Sequence, residues 1–409
     1  MAERILIAGC GTLWDSPFVD AALAAGYELV LVESPSDLKG LKESPLMERF
    51  VSVGVANYWS DPNLDPAPLI AEHPEWVDVK GVVGGREITV PLAARLAQQL
   101  GKRGNHPTAA VRARHKGAMR RTFQAAGLPI PAFAVCQSKA EAEAAVARLG
   151  LPVIVKPSDN GASIGVNLIT SADKVAEAFA YSRSHSLCGD VMVEQVVTGS
   201  EFSVEGFVQD GTITVLGVTS KRTSGAPHFV EVGHVFPALI PVEQEAALRS
   251  LVMRAVQAIG LNQTCFHAEC WWTTNGPVLG EVAARPGGDQ IPNLLRLVTG
   301  HDLYQTTISL VTGDPLPVPG RPKAKAAAIA FLVPRPGSVV TIAGMAEARE
   351  LPGVQALHLA AKVGKVIRTL DSSLARGGWV VAVGETQVEA EARAKFAATQ
   401  IQIETELVL

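Results

Sequence analysis

The chain has 409 residues, of which 47% are hydrophobic and 19% charged, and a net charge of −4 at pH 7. That length supports two or three domains with cores of their own. The composition excludes a disordered chain, and the mild negative charge argues against a general nucleic-acid binder. No apolar run approaches membrane-spanning length, and Met1–Gly9 reads as a short strand rather than a signal peptide.

Residues 1 to about 105 alternate short apolar strands with helices: strand Ile5–Ala8, helix Pro17–Ala25, strand Glu28–Val32, strand Lys80–Val83 and helix Val90–Leu100, closed by Gly101. Such alternation predicts a parallel sheet covered by helices. From residue 106 the pattern turns basic and helical. Helical spacing spreads Arg112, Arg114, Lys116, Arg120 and Arg121 around the cylinder, which predicts a solvated helix with one inward lysine. Ser138-Lys139-Ala140-Glu141 is a capping box that opens a helix ended by Gly150. Strand Val153–Lys156, a glycine-rich loop, a helix near Ala172–Tyr181 and strand Val191–Val197 follow. Strands then dominate (Phe202–Gln209, Ile213–Thr219, Thr264–Trp272, Val278–Val282), interrupted by helix Glu243–Ile259. Pro315–Pro322 reads as a linker. Residues 324–409 alternate strands with a final helix, Val388–Thr399, and are assigned a structural role.

Several stretches carry chemistry. Gly9-Cys10-Gly11 begins like a dinucleotide loop, but Trp14 breaks the fingerprint, and a tight strand-to-helix turn is the preferred reading. Lys156 ends a strand just before Ser158-Asp159-Asn160-Gly161-Ala162-Ser163-Ile164-Gly165. Small residues let backbone N–H groups converge on an anion while the lysine supplies a point charge; an ordinary surface loop is the competing reading. Glu194 and Glu201 flank a short hinge whose backbone can meet an adenine edge and whose carboxylate can accept ribose hydroxyls. Glu269 and Glu281 lie twelve residues apart on a hairpin turned by Asn275-Gly276. A three-residue loop, Thr274 to Gly276, pairs Thr273 with Pro277 and sets the two glutamates face to face, whereas a two-residue loop puts them on opposite faces. Facing carboxylates repel unless a cation bridges them. The five cysteines are scattered, without Cys-x-x-Cys, and predict reduced thiols in a cytoplasmic protein, with Cys265 and Cys270 facing opposite ways.

Taken in order, His115-Lys116-Gly117, Val153–Gly165, Glu194–Glu201, Glu269 and Glu281 resemble the ATP-grasp carboxylate–amine ligase superfamily. The resemblance implies a mixed α/β and α+β fold: a Rossmann-like N-terminal domain (1–105), a central lid domain (106–198), a larger C-terminal ATP-grasp domain (199–320) and an appended subdomain (321–409). It implies that Lys116, Lys156 and the loop Gly161, Ala162 and Ser163 hold ATP phosphates. Glu194, Gln195 and Val197 would form the adenine hinge, and Glu201 would take the ribose. Glu269 and Glu281 would be the Mg²⁺ ligands, with Mn²⁺ as an alternative ion, and Arg285 would clamp the transferred phosphoryl group. Many relatives carry asparagine two residues after the second glutamate, where this chain has Ala283.

The segment Lys221–Ala238 is similar to the substrate loop of bacterial L-amino acid ligases, which places Glu231 and His234 at the amino-acid site. A packed core histidine is the competing reading of His234. Lys221 or Arg222 meets a carboxylate or phosphate, or else is a solvated strand-end charge. His267 is a candidate support for the metal side, and Glu87 a candidate substrate-facing residue. Trp271 and Trp272 are assigned to packing. The implied activity joins a carboxylate to an amine, both from amino acids by analogy with the dipeptide ligases, through an acyl phosphate. Its partners are small molecules, with neither nucleic acid nor membrane, and a homodimer fits similar enzymes. The alternatives are a superfamily enzyme acting on bicarbonate or another carboxylate, and a non-catalytic ATP-binding protein.

Overall fold

A computed structural model describes residues 2–10, 16–61, 63–161 and 164–406. The turn through Trp14 and residues Ala162 and Ser163 therefore lie outside the described residues. The first unit comprises β1 (Arg4–Ala8), α1 (Pro17–Ala24), β2 (Glu28–Glu33), α2 (Pro35–Leu41), β3 (Phe50–Val55), α3 (Ala67–Glu72), β4 (Gly81–Gly84) and α4 (Val90–Gln99). Its four strands are parallel, in the order β3-β2-β1-β4. Ile5, Leu6, Ile7, Leu29 and Leu31 are all fully buried, since a strand covered on both faces has no side left for polar residues.

Helices α5 (Pro107–Arg114) and α6 (Lys116–Ala125) lead to a second unit. It contains β5 (Phe133–Cys136), α7 (Lys139–Leu149), β6 (Val153–Pro157), β7 (Asn167–Ile169), α8 (Val175–Ser184) and β8 (Val191–Gln195). The strands form an antiparallel sheet in the order β5-β8-β6-β7, and α7 and α8 pack on one face around Val146, Val153 and Phe179. Ser138 accepts the backbone N–H of Glu141, as its capping position predicts.

The remaining chain runs β9 (Ser200–Gln209), β10 (Thr212–Thr223), β11 (Glu231–Phe236), α9 (Val242–Ile259), β12 (Thr264–Thr273), β13 (Gly276–Ala283), α10 (Ile291–Thr299) and α11 (Leu303–Thr312). It continues with β14 (Ala326–Leu332), β15 (Gly337–Ala343), α12 (Met345–Arg349), β16 (Val354–Leu359), β17 (Val366–Ile367), β18 (Gly378–Gly384), α13 (Gln387–Gln400) and β19 (Gln402–Glu406). Eight strands form one sheet, β13-β12-β9-β10-β11-β14-β18-β16, so it runs unbroken into the C-terminal segment. One face buries Val204, Val218, Phe266, Ala268 and Cys270 against α9. Cys265 points the other way, into the core with α10 and α11, as the odd spacing predicts. None of the five cysteines is disulfide-bonded. Among the described residues no helix is long and apolar enough to cross a membrane.

Two β-bulges decide what the open face carries. The hairpin loop is shorter than predicted: Thr273 pairs with Gly276 and Trp272 with Pro277, so only Thr274 and Asn275 lie in the turn. In an unbroken ladder that register would send Glu269 and Glu281 to opposite faces. Gly280 is an extra residue between the pairs Cys270–Leu279 and Glu269–Glu281, and it restores the facing arrangement. Gly276 does adopt positive φ, at 100°. The second bulge lies on β11, a strand the sequence reading took for loop. Arg222 pairs with Gly233 and Thr223 with Glu231, which leaves Val232 extra. Glu231 and His234, three apart, thereby come to the same face.

A Cβ at Gly280 would lie 2.5 Å from the Trp271 ring and 2.9 Å from the Glu269 carbonyl oxygen. Backbone cannot yield as a flexible side chain does, so Gly280→Ala is expected to destabilise the protein by about 1–3 kcal/mol. Urea denaturation should show a lower midpoint; an unchanged midpoint would mean the bulge is not tightly packed.

Candidate active site

The open face of the large sheet borders a cavity of about 530 Å³, within the range of roughly 300–1,000 Å³ usual for small-molecule sites. Its walls come from all three units: Glu87, then α6 and the β6 loop, the end of β8, the large sheet, and residues 373–376 of the C-terminal segment.

Lys221 forms the centre of the floor. Its side chain is only 2% exposed, and its Nζ lies 2.7 Å from Glu201 Oε1 and 3.6 Å from Glu231 Oε1, with Glu269 Oε1 bonded closer still. Burial opposes the ammonium charge, but Glu269, Glu201 and Glu231 outweigh it and hold the lysine well above its usual range. Lys221 is thus a buried counter-ion, whereas Arg222 turns away to pair with Glu391 at 3.0 Å.

His267 stands beside it, with Nδ1 2.8 Å from Glu205 Oε1 and Nε2 3.5 Å from Glu269 Oε1. Burial would keep the ring neutral, but the carboxylates of Glu205 and Glu269 prevail and raise it to about 10. Glu269 is correspondingly held well below the carboxylate range: burial opposes its charge, and Lys221 and His267 overcome that. Across the ladder Glu281 Oε2 meets Lys116 Nζ at 2.9 Å. The facing pair offers hard oxygen donors alone, the set a Mg²⁺ ion takes when water and phosphate oxygens complete its shell. Lysines now neutralise both acids, so these residues fit a divalent cation. Ala283 contributes no ligand atom.

On the lid side Lys116 also donates to the Asn160 carbonyl at 2.8 Å. Lys156 is bonded to Glu194, whose other oxygen lies 3.1 Å from Arg120 Nη2. Burial would neutralise Glu194, but Lys156 and Arg120 bring its carboxyl down to about 2. Gly161, Gln195, Val197 and Glu201 also line the cavity. Gln195 donates its backbone N–H to the Ala132 carbonyl. Arg120 corrects the expectation of a single inward residue on α6. It lies four residues after Lys116, hence on the same helix face, and is 2% exposed.

The opposite wall is built around His234 and Arg285. Arg285 is bonded to Glu87 of the N-terminal unit. The ion pair stays charged because, although burial favours neutral Glu87, Arg285, Arg114 and Lys116 hold its carboxyl down. His234 is fully buried, and Nε2 lies 3.4 Å from Asp289 Oδ2. Burial pushes the imidazole below its usual range, so it is neutral near pH 7. Its buried Nδ1 has no hydrogen-bond partner among the described residues. Asp289 in turn accepts two bonds from Arg376, at 2.9 and 2.7 Å. Asp289 and Gln290 both adopt positive φ, 52° and 62°, at a cost of about 1–3 kcal/mol each, and the double bond to Arg376 fixes that bend. Ser373 Oγ donates to Glu231 Oε2 at 3.1 Å. The C-terminal segment is therefore more than structural: Ser373, Leu374 and Arg376 line the cavity. The sequence reading missed Asp289, Arg376 and the central place of Lys221. A lysine at the end of a strand whose preceding residues are all uncharged was a usable signal for Lys221; Arg376 lies 87 residues from Asp289 and gave none.

Residues 149–293 match the ATP-grasp domain family, and residues 330–406 match L-amino acid ligase C-terminal domain 2. The chain is 25% identical over 320 residues to the alanine–anticapsin ligase of Bacillus subtilis, covering 71% of this chain and 66% of that one. It is 30% identical over 216 residues to the D-alanine–D-alanine ligase of Aromatoleum aromaticum, covering 52% and 65%. These matches span just under two thirds of the relatives' own lengths. The crystal structure of an L-amino acid ligase from Bacillus licheniformis superposes with a TM-score of 0.81, at 21% identity, over 99% of this chain and 100% of that one. The chain therefore contains an ATP-grasp domain, followed by a segment that matches the C-terminal domain of the L-amino acid ligases, and it has the fold of the ligase structure it superposes on.

Two measurements follow from the charges. His267 is raised from its usual value of 6.5 to about 10, so its stabilising contribution is complete below the unfolded value and disappears as pH rises through about 10. Stability should decline between those limits in the wild type and less in His267→Gln; parallel declines would show His267 is not the titrating group. Lys221→Met leaves three glutamates facing one another and should cost about 3–5 kcal/mol in denaturant unfolding at pH 8.

Proposed function

We propose that this protein is an ATP-dependent carboxylate–amine ligase that joins two amino acids, or an amino acid and a related amine, with release of ADP and phosphate. The observation that carries the reading is the division of one cavity into two halves: lysines and facing glutamates on the lid side, and Glu231 with neutral His234 on the other. The chemistry named for the alanine–anticapsin and D-alanine–D-alanine ligases supports it.

In the proposed reaction a substrate carboxylate oxygen attacks the γ-phosphorus of ATP, and the bond to the β-phosphate oxygen breaks. Lys116, Lys156 and Arg285 face the phosphates and spread the developing charge. Mg²⁺ bound by Glu269 and Glu281 would neutralise phosphate charge and orient the oxygens. The acyl phosphate then meets the amine, whose nitrogen attacks the acyl carbon, and phosphate departs with the C–O bonding pair. Glu231 attracts the incoming ammonium. Neutral His234, with Nε2 toward Asp289, lines the cavity beside Glu231 and would orient the attacking amine. The loop at Gly161 closes over the phosphates and excludes water, which would hydrolyse the intermediate.

The test is a phosphate-release screen over pairs of amino acids. ADP formation is expected only when both a carboxylate and an amine are supplied, with an amide detected by mass spectrometry. Turnover driven by bicarbonate alone, or none with any pair, rejects the reading. Glu281→Gln should lower turnover by roughly 10²–10³-fold while circular dichroism stays unchanged; full activity would remove Glu281 from the metal site.

A further inference from the structure

We propose a second metal site, distinct from the facing glutamates, in which His115, Cys188 and Asp190 take a zinc-class ion at the base of the lid. His115 Nε2 lies 3.5 Å from Cys188 Sγ and 3.5 Å from Asp190 Oδ2, and all three ligand atoms lie within 4.8 Å of one another. Tetrahedral zinc, with bonds of about 2.0–2.3 Å, separates its ligand atoms by about 3.3–3.6 Å. A nitrogen, a sulfur and one oxygen suit zinc, whereas magnesium demands oxygens. A water would complete the fourth position.

Each ligand is held by a neighbour. His115 Nδ1 accepts the Ala118 N–H at 3.2 Å and caps α6. Asp159 accepts the backbone N–H groups of Leu187 and Cys188, at 3.1 and 2.7 Å, and fixes the loop that presents the thiol. Gln137 Nε2 donates to Asp190 Oδ1 at 3.1 Å, which leaves Oδ2 toward the histidine. Outer bonds of this kind orient metal ligands. Burial keeps His115 below its usual range, so the ring is neutral near pH 7.

Binding displaces the thiol proton to solvent. It also moves the ring proton from Nε2 to Nδ1, because a neutral imidazole bonds a metal through its bare nitrogen. Nδ1–H can no longer accept from Ala118, so the cap is lost at the helix turn that begins with Lys116. The site is therefore inhibitory: zinc occupancy loosens a lysine that faces the cavity.

The test uses the full chain, freed of metal and without nucleotide or Mg²⁺. Cys188 is the exposed cysteine and the other four are buried, so a thiol reagent should label it first. Equimolar Zn²⁺ should slow that labelling about tenfold or more, and excess Mg²⁺ should not. Cys188→Ser and Asp190→Asn should each weaken Zn²⁺ binding about tenfold or more against a chromophoric chelator. Zn²⁺ should also speed hydrogen exchange at the Ala118 amide. Labelling that ignores Zn²⁺, or variants that bind it like the parent, overturns the site; Ala118 exchange unaffected by bound Zn²⁺ overturns the coupling to α6.

Discussion

Everything on the open face depends on one buried ammonium. Glu201, Glu231 and Glu269 come from three different strands, and Lys221 touches all three. Carboxylates this close would otherwise take up protons or drive the strands apart. The lysine holds Glu269 well below the carboxylate range, whereas burial still raises Glu201. The same ion links Glu269, which faces Glu281 across the hairpin, to Glu231, which lies on the His234 side of the cavity. Their spacing is thus set by a single side chain.

The rest of the cavity follows the same logic of balance. Arg114, Lys116, Lys156, Lys221, Arg285, Arg376 and protonated His267 stand against Glu87, Glu194, Glu201, Glu231, Glu269, Glu281 and Asp289. A site so nearly neutral gains little from bulk attraction of an anion. A metal–nucleotide would instead enter by exchange of partners: the ion replaces Lys116 on Glu281, and the freed lysine turns to phosphate. Such exchange gives each protein charge a new partner, so none of them is left unpaired.

The sequence disclosed what periodicity and local chemistry can carry. The parallel first sheet, the lid strands, the glycine-rich loop after Lys156 and the Glu269–Glu281 hairpin all show in short-range pattern, because side-chain alternation and turn residues are local. The hairpin register did not, since the choice between a longer turn and a bulge rests on how Trp271 covers Gly280. Strand β11 was hidden by a polar run containing Gly225 and Pro227, and its ladder with β10 and β14 supplied the order that propensity lacked. Arg120 was misread because charge in a basic run looks solvated until Glu194 is found beneath it. The Arg376–Asp289 clasp is a tertiary fact with no local trace.

The bulges at Gly280 and Val232 act as phase shifters. Each adds one residue to a ladder whose side chains alternate with period two, so each inverts the inside–outside assignment of all that follows on its strand. Removal of residue 280 alone would make Cys270–Leu279 and Glu269–Glu281 successive pairs of an unbroken ladder, with Glu281 still toward the cavity and Leu279 and Val282 still toward α9. Homologous chains aligned by residue count alone would thus place the second acid one column out, and the pairing across the ladder is the better guide to which glutamate faces the cavity.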